Sequence, residues 1–402
     1  MTELSGKSVV LCVTGGIAAY KAADIISRLK KKGADVFVIM TKSATEFITP
    51  MTLEVLSSNR VVVDMFSRDF TWEVEHISLA KRADVFVIAP ATANVIGKAA
   101  NGIADDMVTT TLMATKAPMV IAPAMNTGMY ENPVVQQNIS TLKQRGVKFV
   151  EPAEGRLACG DSGKGKLADP EQIVHEICSA SMEQDLKGKN ILVTAGPTRE
   201  AIDPVRFISN HSTGKMGYAI AQNAQMRGAN VTLVSGPVSI DAPYGVEVVN
   251  VSSAIQMRDA VMSRLENMDF IIKSAAVGDY RPESVSDDKI KKKADDMSIS
   301  LVKNPDILAE IGQKKTDNQV VCGFSMETKD LLDNSRAKLE KKNCDMIVAN
   351  NLKTQGAGFA HDTNVATLLY RDGTQESLDI MQKQQLASVI IDRLLDIFRK
   401  KG

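Results

Sequence analysis

Two stretches of this chain, one at its start and one near its middle, are written alike. SVVLCVTGGIAAYK (residues 8–21) and KNILVTAGPTRE (189–200) both run from an apolar segment into a small hydroxylated turn with glycine. A buried strand that ends in such a turn and hands over to a helix is the opening unit of a doubly wound sheet. A chain with two openings holds two sheets. Its length agrees, because 402 residues exceed one ordinary core.

The rest of each half keeps the same grammar. After VVLCV (9–13) and Thr14-Gly15-Gly16, apolar residues at Ala18, Ala22, Ile25, Ile26 and Leu29 share one helical face, and Gly33 ends it. The segments 35–40, 84–90 and 117–123 are apolar throughout, as strands covered on both faces are, so a parallel sheet flanked by helices is expected. Residues 179–189, SASMEQDLKGK, are polar and read as a linker. The grammar then resumes with NILVTAG, a long polar loop, and a helix from about Lys215 to Arg227. Strands at 229–236 and 246–251 follow, then a helix capped by Ser252 or Ser253 and a C-terminal helix over roughly 383–400. The expected fold is α/β: two doubly wound, mostly parallel, Rossmann-like domains. They span residues 1–189 (flavodoxin-like) and 190–402 (nucleotide-binding).

Composition narrows the function. The chain is 44% apolar and 24% charged with a formal net charge of zero, which offers no field for nucleic acid or an anionic membrane. No apolar run is long enough to span a bilayer, and the N-terminus lacks a signal-peptide pattern. Five scattered cysteines without CxxC or Cys/His spacing fit reduced thiols, so a cytoplasmic protein is expected. Cys12, Cys178, Cys322 and Cys344 lie in apolar segments and are read as packing.

In a doubly wound sheet, ligands collect where strands end and helix N-termini point. In the first half those ends read TGGIAAYK, MTKSA, APATAN and APAMN, rich in hydroxyls, amides and glycine. GxGxxG is missing, and Met40-Thr41-Lys42 stands where a dinucleotide site would want an acid. A mononucleotide fits better, its single phosphate held by hydroxyls and backbone amides. The candidate contacts are Gly15, Gly16, Ile17, Thr41, Ser43, Thr92 and Asn94. GDSGKGKL (160–167) comes close to a P-loop, but Leu167 replaces the magnesium-binding hydroxyl and Asp169-Pro170 follows; it is read as chance.

PAMNTGMYENP (123–133), with EHISLAKRAD around His76 and ACGDSGKGKLAD around Cys159, resembles the flavin-dependent cysteine decarboxylases. Tyr130 stands where that family usually has tryptophan, a matter of packing. The resemblance implies an FMN cofactor that oxidises the substrate thiol to a thioaldehyde, whose C=S bond then accepts the electrons left by carbon dioxide. It implies His76 as the base, Asn126 as the holder of the carboxylate, and Cys159 as proton donor in the final reduction. Cys159 lies among four glycines in 155–165, as suits a mobile flap.

In the second half, TAGPTREAIDPVRFISNHSTGKMGYAIA (194–221) leads a glycine-bearing loop to a helix N-terminus, with Ser212 and Thr213 available for a phosphate. KSAAVGDYRP, DDKIKKK, NPDIL and AKLEKK follow in an order that resembles phosphopantothenate–cysteine ligase. The whole chain resembles the family of bifunctional coenzyme A biosynthesis proteins. That resemblance implies a CTP site of Ala275, Ala276, Val277, Asp279, Lys289, Pro305, Asp306, Ile307, Leu308, Phe324, Lys338 and Lys342, the first three presenting backbone. It implies Arg206, Asn210 and Ala276 for the substrate and its acyl intermediate, with Asn210 and Lys289 catalytic. Gly278 replaces a usual alanine. Mg²⁺ with CTP is implied, its ligands unassigned. The implied substrates are 4′-phosphopantothenate, cysteine and CTP, with neither nucleic acid nor membrane as partner. The implied assembly is a homo-oligomer: a trimeric flavin domain and a dimeric ligase domain, extending to a dodecamer.

Two rival readings stay open on the residues. One is a flavoprotein that decarboxylates a peptide's C-terminal cysteine, its second half a nucleotide-binding regulator. The other is a flavin-binding subunit without turnover.

Overall fold

The computed structural model describes residues 3–66, 74–156, 160, 162–291, 298–327, 330–351 and 361–401. The chain forms two compact units, Met1–Glu183 and Gln184–Gly402.

The first unit is built on β1 (Ser8–Val13), β2 (Asp35–Met40), β3 (Val61–Val62), β4 (Val85–Ala91), β5 (Met119–Pro123) and β6 (Lys148–Phe149), in the order β3-β2-β1-β4-β5-β6. Every pairing in that sheet is parallel. The helices are α1 (Ala22–Lys31), α2 (Pro50–Ser57), α3 (Glu75–Arg82), α4 (Ala93–Asn101), α5 (Met107–Ala114), α6 (Thr127–Tyr130), α7 (Pro133–Gln144) and α8 (Pro170–Ala180). Burial on both faces explains the unbroken apolar runs: β4 is buried at all seven positions. A hairpin of β7 (Ala153–Arg156) and β8 (Ser162–Lys166) stands outside the sheet. The apolar face predicted from Ala18 begins one residue later. Ile17–Lys21 is a 3₁₀ turn that buries Ala19 and leaves Ala18 half-buried, because a tighter turn rotates each residue further than an α-helix does.

The second unit carries β9 (Asn190–Ala195), β10 (Arg199–Ala201), β11 (Phe207–Ser209), β12 (Asn230–Ser235), β13 (Glu247–Asn250), β14 (Phe270–Lys273), β15 (Tyr280–Pro282), β16 (Leu301–Lys303), β17 (Val320–Glu327), β18 (Met346–Asn351), β19 (Thr363–Asn364), β20 (Ala366–Tyr370), β21 (Gln375–Ser377) and β22 (Met381–Gln382). Its sheet runs β13-β12-β9-β14-β17-β18-β20-β21, parallel as far as β18, with β20 and β21 antiparallel. The helices are α9 (Lys215–Met226), α10 (Ala254–Met262), α11 (Ile307–Lys314), α12 (Leu331–Lys341) and α13 (Lys383–Lys401). Ser253 caps α10 in a reciprocal box with Gln256. α13 buries Leu386, Ile390 and Leu394 against the sheet.

The polar stretch read as a linker is built into the fold. α8 reaches Ala180, and Leu186 is a core residue of the second unit. Asp185 accepts two hydrogen bonds from Arg227, whose third N–H donor binds Asp392. The Arg227–Asp185 pair is nearly buried, with the Arg227 side chain 9% exposed and Asp185 11%, while Asp392 is 45% exposed. The Arg227 guanidinium holds the Asp185 carboxyl below its ordinary range.

A buried pair broken by removing one partner costs about 3 kcal/mol. Arg227→Met is therefore expected to lower the second unit's stability by roughly that amount in urea unfolding at neutral pH. Because Asp185 is depressed in the folded state, this stabilisation is present above the unfolded carboxyl's pKa and is lost as pH falls through the folded one. The gap between wild type and variant should therefore close in acid. A gap that stays constant down to full protonation would show that Arg227 acts through packing alone.

Candidate functional site

In the first unit the strand order reverses between β1 and β4, so the loops after these strands diverge and leave a crevice at the sheet's C-terminal edge. Thr14 ties them together. Its buried Oγ1 donates to the Pro90 carbonyl at 2.7 Å and accepts from the Thr92 N–H at 3.0 Å. At Gly15 a Cβ would fall 2.4 Å from the Cβ of Ser43, so only glycine lets the loop after β1 meet the loop after β2. Gly16 precedes the 3₁₀ turn, on which Ile17 is largely exposed. Thr41 and Thr92 cap the turns that follow β2 and β4, accepting from Ala44 N at 3.3 Å and Val95 N at 3.4 Å. Ser43 and Asn94 are exposed. The seven sequence candidates thus share one edge. They are neutral groups around bare glycine backbone, a set that suits a planar ligand with a single phosphate.

Asn126 follows β5 at the same edge. Its Oδ1 accepts from Gly128 N at 2.8 Å, which sets the orientation of the amide. The hairpin presses on this segment: Met125 N donates to Gly165 O at 2.9 Å, and a Cβ on Gly165 would stand 2.3 Å from Met125 O. Tyr130 is buried at the end of α6 and donates to Glu151 Oε2 at 3.0 Å; burial, then Glu151, pushes its phenol up to about 12. His76 is half-buried in the first turn of α3. Because α3 feeds into a parallel strand it runs antiparallel to the sheet, and its first turn lies at the strands' C-terminal edge. Cys159 falls between the paired residues Arg156 and Ser162 and lies outside the described residues. The other four thiols are buried, and burial raises all of them, Cys178 and Cys344 to about 12.

The second unit repeats the reversal between β9 and β14, and there a cavity of about 330 Å³ opens. One wall is the Ser212–Gly217 loop entering α9, with Gly214 left-handed at φ +80. Gly217 allows that helix to touch β9, since a Cβ would meet Ala195 Cβ at 2.6 Å. Another wall is the 275–279 loop, pinned from below. Ala275 N donates to Thr194 Oγ1 (3.1 Å), Ala276 N to Gly196 O (2.9 Å) and Gly278 N to Thr198 Oγ1 (2.9 Å). Asn304 Nδ2 donates to Gly278 O at 2.8 Å. Two of the amides expected to face a base are therefore engaged within the fold.

Ten of the twelve proposed nucleotide contacts line this cavity: Ala275, Ala276, Val277, Asp279, Pro305, Asp306, Ile307, Leu308, Phe324 and Lys338. Lys338 Nζ donates to Phe324 O at 2.9 Å. Lys342 stands behind the wall, ion-paired with Asp306. Lys289 is exposed and is not among the lining residues. Arg206 is also outside the lining. It pairs with Asp203, whose carboxylate further accepts from Val205, Arg206 and Ile290 N–H groups, while Arg206 Nη2 binds Ile290 O. That clamp fixes the chain beside Lys289 and, through Arg206 first, drives the Asp203 carboxyl far below its usual range. Asn210 donates to Ala276 O at 3.0 Å.

Sequence reasoning missed Lys273, Asn304, Asn350, Asn364 and Lys383, all in the cavity wall. Lys273 had a local signal, a cation that ends the apolar strand FIIK. Asn350 and Asn364 had none, because their 3.2 Å contact depends on how β18 and the segment after it fold together. Among the described residues no group of three or more His, Cys, Asp or Glu side chains could hold a metal ion.

Comparison with known proteins divides the chain in the same way. Residues 1–182 match the Flavoprotein family, and residues 186–397 match the DNA/pantothenate metabolism flavoprotein C-terminal domain. The chain is 49% identical over 403 residues to the coenzyme A biosynthesis bifunctional protein CoaBC of Bacillus subtilis (strain 168), with 99% of both chains covered. Identity to the protein of that name from Escherichia coli (strain K12) is 43% over 404 residues, covering 100% of this chain and 99% of the relative. A crystal structure of the C-terminal domain of a coenzyme A biosynthesis bifunctional protein is 40% identical, covering 54% of this chain and 100% of that one, with TM-score 0.47.

Thr14→Val removes one acceptor and one donor from a buried site and leaves Pro90 O and Thr92 N–H unmatched. A loss of about 2 kcal/mol is expected from the first unit, read as a lower midpoint in urea unfolding. An unchanged midpoint would mean that water replaces the hydroxyl.

Proposed function

The chain belongs to the family of bifunctional coenzyme A biosynthesis proteins, and from that premise we propose how its two crevices divide the work. It is an enzyme that combines phosphopantothenate–cysteine ligase and phosphopantothenoylcysteine decarboxylase activities. The observation that carries this reading is the coverage: one relative spans 99% of both chains, so both catalytic halves are present.

In the proposed ligation the carboxylate of 4′-phosphopantothenate attacks the α-phosphorus of CTP. Pyrophosphate leaves, and an acyl–cytidylate remains. The amine of cysteine then displaces CMP and loses a proton, giving 4′-phosphopantothenoylcysteine. Both leaving groups depart as anions; the lysines supply neutralising charge, and Mg²⁺ carried in with the CTP phosphates would add to it. Lys338, the α9 N-terminus and the 275–279 and 305–308 segments hold the nucleotide. Asn210 reaches the acyl intermediate from beside Ala276, and Arg206 serves the same substrate. Lys289 acts on the phosphates, and Lys342 keeps Asp306 oriented.

In the first unit the neutral donors fit FMN: Gly15, Gly16 and Ile17 offer backbone, and Thr41, Ser43, Thr92 and Asn94 offer polar side chains. When bound, the flavin supplies the two-electron oxidation of the substrate's thiol end and the later return of those electrons. His76 takes a proton at the thiol end. Asn126 donates an amide N–H to the carboxylate that departs as carbon dioxide. Cys159 supplies the proton that completes 4′-phosphopantetheine. The product of one crevice is the substrate of the other, which gives the fusion its chemical logic. We also carry the trimer–dimer assembly as a proposal, supported by exposed Met51 and Val55 on α2 and by exposed Phe207 and Leu301 in the second unit. No helix among the described residues is long and apolar enough to cross a membrane.

The test is to incubate the protein with 4′-phosphopantothenate, cysteine and CTP. Pyrophosphate and then carbon dioxide are expected; carbon dioxide from a preformed cysteinyl peptide alone would favour a peptide decarboxylase. Cys159→Ser should ligate normally, release carbon dioxide and stall before 4′-phosphopantetheine, so a full yield would remove its role. Lys289→Gln should slow pyrophosphate release at least tenfold, the scale of one lost charge-assisted contact, while the flavin's visible absorbance is kept. Loss of both signals would show that the two halves do not act independently.

A further inference from the structure

We propose that the side chain of Lys273 is a direct ligand of an anionic oxygen of the nucleotide held in the second unit's cavity, an inference that rests on the CTP-dependent reading. Lys273 is the last residue of β14, the strand that borders the reversal of strand order, and it lines the cavity. Its strand neighbours in register are Thr194 on β9 and Gly323 on β17. It lies on the same face of β14 as Ile271, whose side chain packs in one cluster with Ile307 and Leu308 of α11.

Two of the lining lysines, Lys273 and Lys303, have no side-chain partner among the described residues, and of these Lys303 is exposed while Lys273 is half-buried. Lys338 already donates one N–H to Phe324 O, Lys383 donates to His361 O and Lys215 to Asp362, whereas no hydrogen bond or ion pair engages Lys273. The charged groups around it are Lys338 on α12, Asp306 at the start of α11, and Asp279 in the loop after β14. Asp306 is already neutralised by Lys342. Five lysines (215, 273, 303, 338 and 383) and two aspartates (279 and 306) line the cavity, a balance that favours an anionic ligand. Burial and then Lys338 lower the ammonium to about 8, against the opposing pull of Asp306 and Asp279. A phosphate oxygen would favour the charged form.

The linkage follows with its sign. A bound polyphosphate raises the pKa of Lys273 above 8, so near pH 8 binding takes up part of a proton, and affinity falls as pH rises through that value. The experiment is calorimetric titration of the full-length protein with CTP at pH 8, without other substrates, in buffers of low and high ionisation enthalpy. Wild type should take up a measurable fraction of a proton. Lys273→Met should bind CTP about ten- to a hundredfold more weakly and lose the uptake. Lys273→Arg should recover most of the affinity without uptake, since a guanidinium stays charged. If the methionine variant does not fold, the arginine variant decides: uptake equal to wild type overturns the proposal, and its absence supports it. A folded methionine variant with wild-type affinity and uptake also overturns it while leaving the nucleotide reading intact. Failure of wild type to bind CTP overturns both.

Discussion

Parallel strand pairing is the constraint on which the rest of this structure depends. When neighbouring strands point the same way, each connection must cross back over the sheet, and helices serve as those connections. Every strand then ends at one edge, and the helix N-termini arrive there too. The polar loops have nowhere else to gather. Reversal of strand order, at β1/β4 in one unit and at β9/β14 in the other, keeps the loops at those points from covering one another.

The two crevices share this origin and differ in chemistry because different side chains end the strands. In the first unit Thr14 bonds the loops after β1 and β4 to each other, and the seven candidate contacts gathered at that edge are neutral. A weakly charged ligand can be held there by shape and by amides without a penalty for burying unmatched charge. The second crevice gathers lysines from several separate elements against two aspartates, so its lining carries more positive than negative groups. Arg206 and Asp203 pair outside the cavity lining, and the pair also holds the chain at Ile290.

Much of this was legible in the residues. Unbroken apolar runs announced covered parallel strands, and β1, β2, β4 and β5 fall on them. The turn after β1 announced its crevice because Gly15 is required by the approach of Ser43. The CTP contacts predicted from resemblance are mostly brought to one cavity, although they come from stretches between residues 275 and 338. Lys338 and Lys342 were grouped as CTP contacts, and they make different bonds: Lys338 donates to Phe324 O, while α12 ends at Lys341 and Lys342 at its cap turns to Asp306. The polar composition of residues 179–189 suggested a linker, and the division between the two units falls within it, although Asp185 and Leu186 are anchored by Arg227, a partner far away in sequence.

By itself the sequence determined two things: the doubled α/β architecture and the chemical character of the strand-end loops. Both follow from periodicity and from residue types that act within a few positions of one another. Only the tertiary structure decided which of those side chains remain available. Whether a lysine already donates to a neighbour, as Lys338 does to Phe324 O, or is left without one, as Lys273 is among the described residues, depends on groups brought together from distant segments. Local pattern carries no record of those distances, because they are set by how strands and helices stack.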